Sequence, residues 1–556
     1  MTQRLIILFI IILPIFAGLF FSIIPAFGFF PQFGITNFSL ESFKNFYNEP
    51  GIIFSISKSL FIGIVSTVIS WWITMLLLGN FYKHNFFKII NNLLLPVLTV
   101  PHASMAIGLL FLFQPSGFIM RLISPEISGW QFPQNEITLG NDTFIIIITL
   151  IVKEVPFLLL ISLSALTQFN ADEKISISRS FGYSKMQSWF YIIQPEIFKL
   201  IKIPIFVVLV FSTTVVDVVA VISTSTIHPL ALKVFLWSKE PFIDSKYNAS
   251  VGMLVLIIIS ILSCFIFLIS QKLFSKLIKS YLINFGFSKI KKRVLIIHNI
   301  FITYISFSIL FLVTGSLLLL IIWSLTENWF FPDNFPTSIT IYYWENFTIN
   351  NFHLLKNTLI VGVASSILSV IISIIWLENN SKIINNNLEN VFYIPLLLPQ
   401  ASFLFGVKYI FYKLGISGTY FGIICSHIIF VFPYVFLCLA SFWRSFDQNF
   451  IYFSRSLGNR YWYTFFKIKV SILSVPLFIS LSVGFLISNS LYLPTAFISE
   501  GKILTLTTEF VSFATGNSRQ ILGVTATIQM LLPTIIFVLA GYIYLIKSRK
   551  FSYFKI

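Results

Sequence analysis

Cysteine is nearly absent. The 556 residues contain three, Cys264, Cys425 and Cys438, each within an apolar run and none in a CxxC pair. A disulfide framework and a structural zinc site are thereby excluded. Charge is scarce too. Asp, Glu, Lys and Arg make up 10% of the chain, where a soluble globular domain carries roughly 25%, so a soluble globular protein is excluded. Acidic residues are the scarcer sign, 20 against 37 basic ones, for a net charge of +17. Signatures of chemistry are missing as well. No G-x-x-x-x-G-K-[ST] phosphate loop occurs; the one Gly-Lys pair, Gly501-Lys502, runs on into Ile503. The six histidines are scattered, without H-E-x-x-H or other metal-ligand spacing, and no nucleophile–base constellation stands out. The chain is therefore expected to hold no catalytic residue and no metal site.

Apolar residues are what the chain has in excess. They make up 57% of it, with 65 phenylalanines and a mean hydropathy of +0.90, which rules out disorder. A bilayer core of about 30 Å needs about 20 apolar residues per helix. Such runs occur near 5–27, 57–79, 92–113, 143–165, 203–224 and 251–271, and again near 298–324, 357–377, 391–412, 419–442, 473–494 and 523–545. The first follows Arg4, exceeds a signal-peptide core and has no small-residue cleavage site, so it reads as a retained helix. The expected fold class is an all-α polytopic membrane protein with about 12 transmembrane helices. Twelve crossings put both termini on one side, and basic residues identify that side as cytoplasmic. On that topology the inside segments hold 25 of the 37 basic residues but six of the 20 acids. Topology thus accounts for the positive excess, and no nucleic-acid partner is needed. The run Lys289, Lys291, Lys292, Arg293 reads as a cytoplasmic topology anchor, with a lipid headgroup or partner site as the other reading.

The chain repeats itself. Pro101-His102-Ala103-Ser104, with Gly108 seven residues after the proline, matches Pro399-Gln400-Ala401-Ser402 with Gly406. Ser178-Arg179-Ser180-Phe181-Gly182 matches Ser454-Arg455-Ser456-Leu457-Gly458. Each pair occupies the same place in a six-span half, so the repeats are parallel, not inverted. The halves divide as 1–285 and 286–556, joined by the basic stretch near 272–294. From proline to glycine the interval is 81 residues in the first half and 59 in the second. The excess maps to an external loop at 114–142.

Segments 165–202 and 443–472 are long, polar and basic for inter-span loops, and a single glycine, Gly182 or Gly458, interrupts each. Glycine there permits a sharp turn between two short helices. Aromatics follow seven and eight residues on, Trp189-Phe190 and Phe465-Phe466, and an isoleucine ten on, Ile192 and Ile468. Such a segment can lie at the membrane surface and offer an apolar and basic face to a protein groove. A simple re-entry helix anchored by its own aromatics is the plainer reading.

These segments resemble the EAA loop of type I ABC importer permeases, in which Glu-Ala-Ala, three residues and Gly precede, after nine more residues, Ile-x-Leu-Pro. The first copy reads Ser176-Ile177-Ser178, Gly182, then Ile192-Ile193-Gln194-Pro195; the second Tyr452-Phe453-Ser454, Gly458, then Ile468-Lys469-Val470-Ser471. The acidic residue is absent from both copies, and the second lacks the final proline. Nearly the whole chain looks like two such permeases fused, similar to the fused permeases of ferric-iron and thiamine importers. Pro101-His102-Ala103 to Pro115-Ser116-Gly117, with Lys153-Glu154-Val155-Pro156-Phe157, looks like the YnjC-like branch of that group. The resemblance implies a MetI-like fold of two six-helix repeats in a bacterial inner membrane. It implies an ABC ATPase dimer docked under the two loops, with ATP and Mg2+ held by that partner, and an extracytoplasmic solute-binding protein on the outer face. The coupling residues would be Ser178, Arg179, Ser180, Gly182 and Ile192, and Ser454, Arg455, Ser456, Gly458 and Ile468. Thiamine, ferric iron and a polyamine-like cation all stay open as solutes.

A charge near mid-bilayer costs about 2.5–3.5 kcal/mol on insertion scales, so it usually has a partner or a pathway role. Lys153 and Glu154 in the fourth span, Asp217 in the fifth and Lys408 in the ninth are the candidates. Either they pair inside the bundle, for instance Asp217 with Lys153, or they line the translocation route. His102 reads as a packing residue. Two other classes stay in view. An ion-gradient transporter with 6+6 parallel repeats fits twelve spans, but its charged loop between spans two and three is replaced by Asn80-Phe81-Tyr82-Lys83-His84-Asn85. A lipid-linked transferase would need an external acidic cluster, which Glu126, Glu136 and Asp142 match poorly.

Overall fold

The computed structural model describes residues 2–30, 34, 35, 37–84, 87, 92, 94–133, 142–223, 225–285, 292–379, 387–516 and 518–552. Lys88, Glu136, Lys289, Lys291 and Lys382 lie outside the described residues. Among those described, ten helices are long and apolar enough to cross a membrane: Ile6–Phe27, Ile52–Phe81, His102–Ile123, Asp142–Leu166, Lys185–Ile222, Ile243–Leu277, Ile300–Ser324, Phe352–Asn379, Tyr420–Arg444 and Arg519–Ile543. Two helix pairs bent at a short break, Leu388–Leu397 with Gln400–Lys413 (99°) and Tyr461–Val470 with Ser474–Ser490 (74°), are apolar enough when each is taken as one span. With them the count reaches twelve, numbered here 1 to 12 in chain order. The fold is all-α and polytopic, as expected. Its strands among the described residues are a short antiparallel pair, Thr326–Asn328 with Ser338–Ile339.

Both third-place spans, 3 and 9, enter through a short helix and restart at a proline. Pro101 and Pro399 cap the N-termini of His102–Phe113 and Gln400–Lys413 in extended conformation. Proline brings no N–H to a helix start, where none is needed, so it can end one helix and open the next at an angle. Two boundaries differ from the sequence reading. The external loop at 114–142 is partly helical, Phe118–Ile123, with Arg121 buried in it. The basic stretch joining the halves is mostly helix too, because Ile243–Phe285 runs well past its apolar part.

With spans 1–6 taken as one half and 7–12 as the other, the first span of each half packs on the third span of the other. Span 1 lies along span 9, where Gly18 faces Gly406. A Cβ on Gly406 would stand 2.0 Å from the Gly18 carbonyl oxygen, and one on Gly18 would stand 2.6 Å from the Phe403 carbonyl oxygen. The Gly406 N–H donates to Ser22 Oγ at 2.8 Å. Span 7 lies along span 3 in the same manner, and a Cβ on Gly108 would stand 2.7 Å from the Ser316 carbonyl oxygen. In lipid, helices associate where small residues let backbones approach. The same rule governs spans 2 and 8, whose buried faces carry Ser59, Gly63, Ser66, Ser70 and Thr74, and Thr358, Gly362, Ser366, Ser369 and Ser373. Opposite the hairpin loops, Arg121 ties the halves again. Its guanidinium donates to the carbonyls of Ser116 (3.1 Å), Phe330 (2.6 Å), Asp333 (2.9 Å) and Trp329 (3.3 Å), and it stacks on the Trp329 ring.

Overpacking a well-packed contact costs about 1–3 kcal/mol, and the neighbour here is backbone that cannot turn aside. Gly406→Leu is therefore expected to lower the thermal midpoint of the purified chain and to broaden its size-exclusion profile. Gly541→Leu, at a site where a Cβ meets nothing within 4 Å, should leave both as they are.

Candidate functional site

The two polar loops fold alike. In the first, helix Ala171–Ser180 ends at Gly182 with φ of 93°, and helix Lys185–Ser188 leads into a π-turn, Trp189–Ile193. In the second, helix Asn449–Ser456 ends at Gly458 with φ of 83°, and Tyr461–Thr464 leads into a π-turn, Phe465–Val470. Each glycine makes a Schellman cap. Gly182 N–H donates to Arg179 O and Tyr183 N–H to Ser178 O; Gly458 N–H donates to Arg455 O and Asn459 N–H to Ser454 O. The serine that accepts this bond on its carbonyl also joins the two short helices through its hydroxyl. Ser178 Oγ meets Ser188 Oγ at 2.5 Å, and Ser454 Oγ meets Thr464 Oγ1 at 3.0 Å. Both hydroxyl pairs are buried.

The remaining loop residues divide by exposure. Arg179, Ser180, Arg455 and Ser456 point outward. Ile192 and Ile468 are half-buried in the π-turns and pack on the core, which anchors the loops. Trp189 is fully buried; a Cβ on Gly79 of span 2 would stand 2.9 Å from its Cδ1. The anchoring differs between loops. In the first, Lys83 pairs with Asp172 and Lys174 with Glu196 at 2.6 Å, both in partly exposed positions. Hydrogen bonding to Asp172 raises Lys83 above the ordinary lysine value. In the second, Glu378 at the end of span 8 gathers Lys469 Nζ (2.6 Å), Tyr461 Oη (2.7 Å) and Trp443 Nε1 (3.0 Å). The Lys469 side chain is wholly buried and also lies over the Trp443 ring at 4.6 Å. Arg444 and Trp376 hold Glu389 beside it.

The in-membrane charges do not form one group. Lys153 does not pair with Asp217. Its ammonium donates to the carbonyls of Val97 (2.9 Å) and Val100, the end of the short helix that precedes Pro101. It holds the break in span 3 by bringing a donor to the carbonyls that end the short helix. Glu154 meets His102 Nε2 at 3.4 Å, so His102 belongs to the polar group. Asp217 opens the short helix Asp217–Ile222 within electrostatic reach of His102 and of Tyr492, while Tyr434 lies near Glu154. The first half thus supplies ionisable groups and the second supplies tyrosines. Lys408 stands apart, near Lys239 and Lys246. Tyr434 and Tyr492 lie in apolar runs without a charge, so the sequence carries no signal for them.

Past the tyrosines, at the end of the bundle opposite the loops, a cavity of about 460 Å³ lies between the halves. Ser223, His228 and Lys239 line it from the first half, and Tyr492, Thr508, Glu509 and Ser512 from the second. Burial pushes His228 below the ordinary histidine value, and Lys58 and Lys233 push the same way against Asp142. His228 is therefore neutral near pH 7.

No protein-family profile matches the chain. It is similar to a protein of Escherichia coli (strain K12), the inner membrane ABC transporter permease protein YnjC, with 24% identity over 448 residues, covering 80% of this chain and 79% of that protein.

Removing one member of a buried ion pair costs about 3–5 kcal/mol, because the other is left without a counter-charge. Lys469→Ala is expected to lower the unfolding midpoint of the purified chain more than Lys174→Ala, whose pair is partly exposed and worth about 0–1 kcal/mol. Adding Glu378→Gln to Lys469→Ala should recover part of the loss. A double-mutant cycle in thermal melts reads the coupling.

Proposed function

We propose that the chain is the permease subunit of an ABC importer, carrying both halves of the translocation pathway in one polypeptide. The observation that carries this reading is the pair of matching hairpin loops, each a Schellman-capped helix joined to its re-entry helix by a buried hydroxyl pair. The similarity to an inner membrane ABC permease over four-fifths of the chain supports it, as do twelve spans and a sequence without a phosphate loop. On this reading the loops lie at the cytoplasmic face, where both termini also sit, and receive an ABC ATPase dimer. ATP and Mg2+ bind that partner. Closure of the dimer pushes on the outward-facing Arg179, Ser180, Arg455 and Ser456. The buried serines and π-turns pass the push to span 5, which carries Asp217, and to span 11, which Tyr492 follows, at the axis between the halves. An extracytoplasmic binding protein delivers solute to the cavity on the other face.

The test uses the full chain with the ATPase that copurifies from native membranes, reconstituted in proteoliposomes. A side chain at Gly458 meets no atom within 4 Å, so Gly458→Val strains the backbone alone, by about 1–2 kcal/mol in the left-handed region. Gly182→Val/Gly458→Val is expected to keep its size-exclusion profile and lose ATP-driven uptake by about tenfold or more. Uptake on an ion gradient with no ATPase present would overturn the reading.

A further inference from the structure

The cavity between the halves carries charges of both signs that the protein leaves unjoined. Lys239 faces the Phe235 ring at 4.4 Å and has no ion pair or hydrogen bond among the described residues. Lys408, from the second half, adds a second positive charge within electrostatic reach of it. Glu509, from the second half, likewise has no side-chain partner among the described residues. The lining also carries hydroxyls, Ser223, Tyr492, Thr508 and Ser512. With His228 neutral, the lining holds one cation and one anion that form no ion pair with each other.

That arrangement selects by chemistry. A cation alone meets Lys239 and Lys408. An anion alone meets Glu509. A neutral sugar can use the hydroxyls but leaves both charges without counter-charges. A solute with an anionic group at one end and an ammonium at the other satisfies both walls and bridges the halves. The volume of about 460 Å³ falls within the range of roughly 300–1,000 Å³ for small-molecule sites.

We propose that this cavity binds a small zwitterion of amino-acid type, its carboxylate at Lys239 and its ammonium at Glu509. That it is the transported solute rests on the importer reading; that it binds does not. The expected solute class therefore shifts from the cations that the family resemblance allows to a molecule carrying both signs.

The test is made on the purified full chain, with Cys264, Cys425 and Cys438 replaced by alanine and Ser512→Cys as a thiol reporter in the cavity wall. Thr515→Cys, also exposed in that wall, is the second reporter should the first not fold. The rate of labelling by a neutral maleimide is read with four probes: a mixture of neutral amino acids, spermidine, sodium sulfate and sucrose. The amino-acid mixture is expected to slow labelling about fivefold or more, and the other three to leave it unchanged. A hydrogen bond to a charged group contributes about 1.5–3 kcal/mol, so Lys239→Gln and Glu509→Gln should each raise the protecting concentration about tenfold or more. Protection by spermidine, sulfate or sucrose, by none of the four, or undiminished in both charge variants would overturn the proposal. Labelling needs no ATP, so the two readings fail separately. Protection without ATP-driven uptake sinks the importer and keeps the site. ATP-driven uptake with no protection of the reporter by the amino-acid mixture keeps the importer and sinks the site.

Discussion

Two helices reach backbone contact where small residues face each other, and Gly18 against Gly406 is such a contact. It places span 1 of the first half on span 9 of the second, and Gly108 places span 7 on span 3 in return. The halves are therefore not two bundles side by side. Each holds the other's first helix, and the axis between them is fixed from both flanks. Polar groups from both halves meet at that axis: His102, Glu154 and Asp217 from one, Tyr434 and Tyr492 from the other. In a bilayer such groups need mutual company or a wet path, and the crossed packing brings them together.

On the importer reading the hairpin loops meet the opposite demand, to move as units while staying attached. A Schellman turn fixes the angle between two short helices, and a buried hydroxyl pair ties the first helix to the second. Force applied at Arg179 or Arg455 then reaches Trp189 or Phe465, which sit in the core at the start of the re-entry helices. The loops differ in how firmly they are held. Lys469, Tyr461 and Trp443 converge on Glu378 in the second, while solvent-screened pairs serve the first. A screened pair is worth little and a buried one is costly to break. The second loop is thus the stiffer lever, with its exposed Phe453, Leu457, Trp462 and Phe466 held on a rigid base.

Much of this was legible in the sequence, for physical reasons that also explain what was not. Hydropathy marks spans because burial in lipid needs apolar length, and Gly182 and Gly458 mark turns because few other residues take positive φ. Pro101 and Pro399 mark the broken spans because proline cannot continue a helix. Helix partners were not legible. A stripe of small residues, as on spans 2 and 8, marks the face that packs but not which neighbour it meets. The role of Lys153 was hidden for the same reason: pairing with Asp217 was a fair expectation from charge alone, but the acceptors were backbone carbonyls, which every residue has. Gly108 and Gly406 were visible as a repeat, and only the packing shows that each is spaced to receive the other half's first helix.

A polypeptide that carries both halves is free to let them diverge where they meet. Two identical subunits related by a two-fold axis would line the cavity with the same residues on both walls. A lysine on one wall would then face a lysine, and a glutamate a glutamate. Here the two walls differ, Lys239 on one and Glu509 on the other, and deeper in, carboxylates face tyrosines. On the importer reading both loops meet the same kind of partner, which favours a shared geometry, and the proposed zwitterion, having unlike ends, favours an axis without symmetry. One chain with two unlike halves can satisfy both conditions.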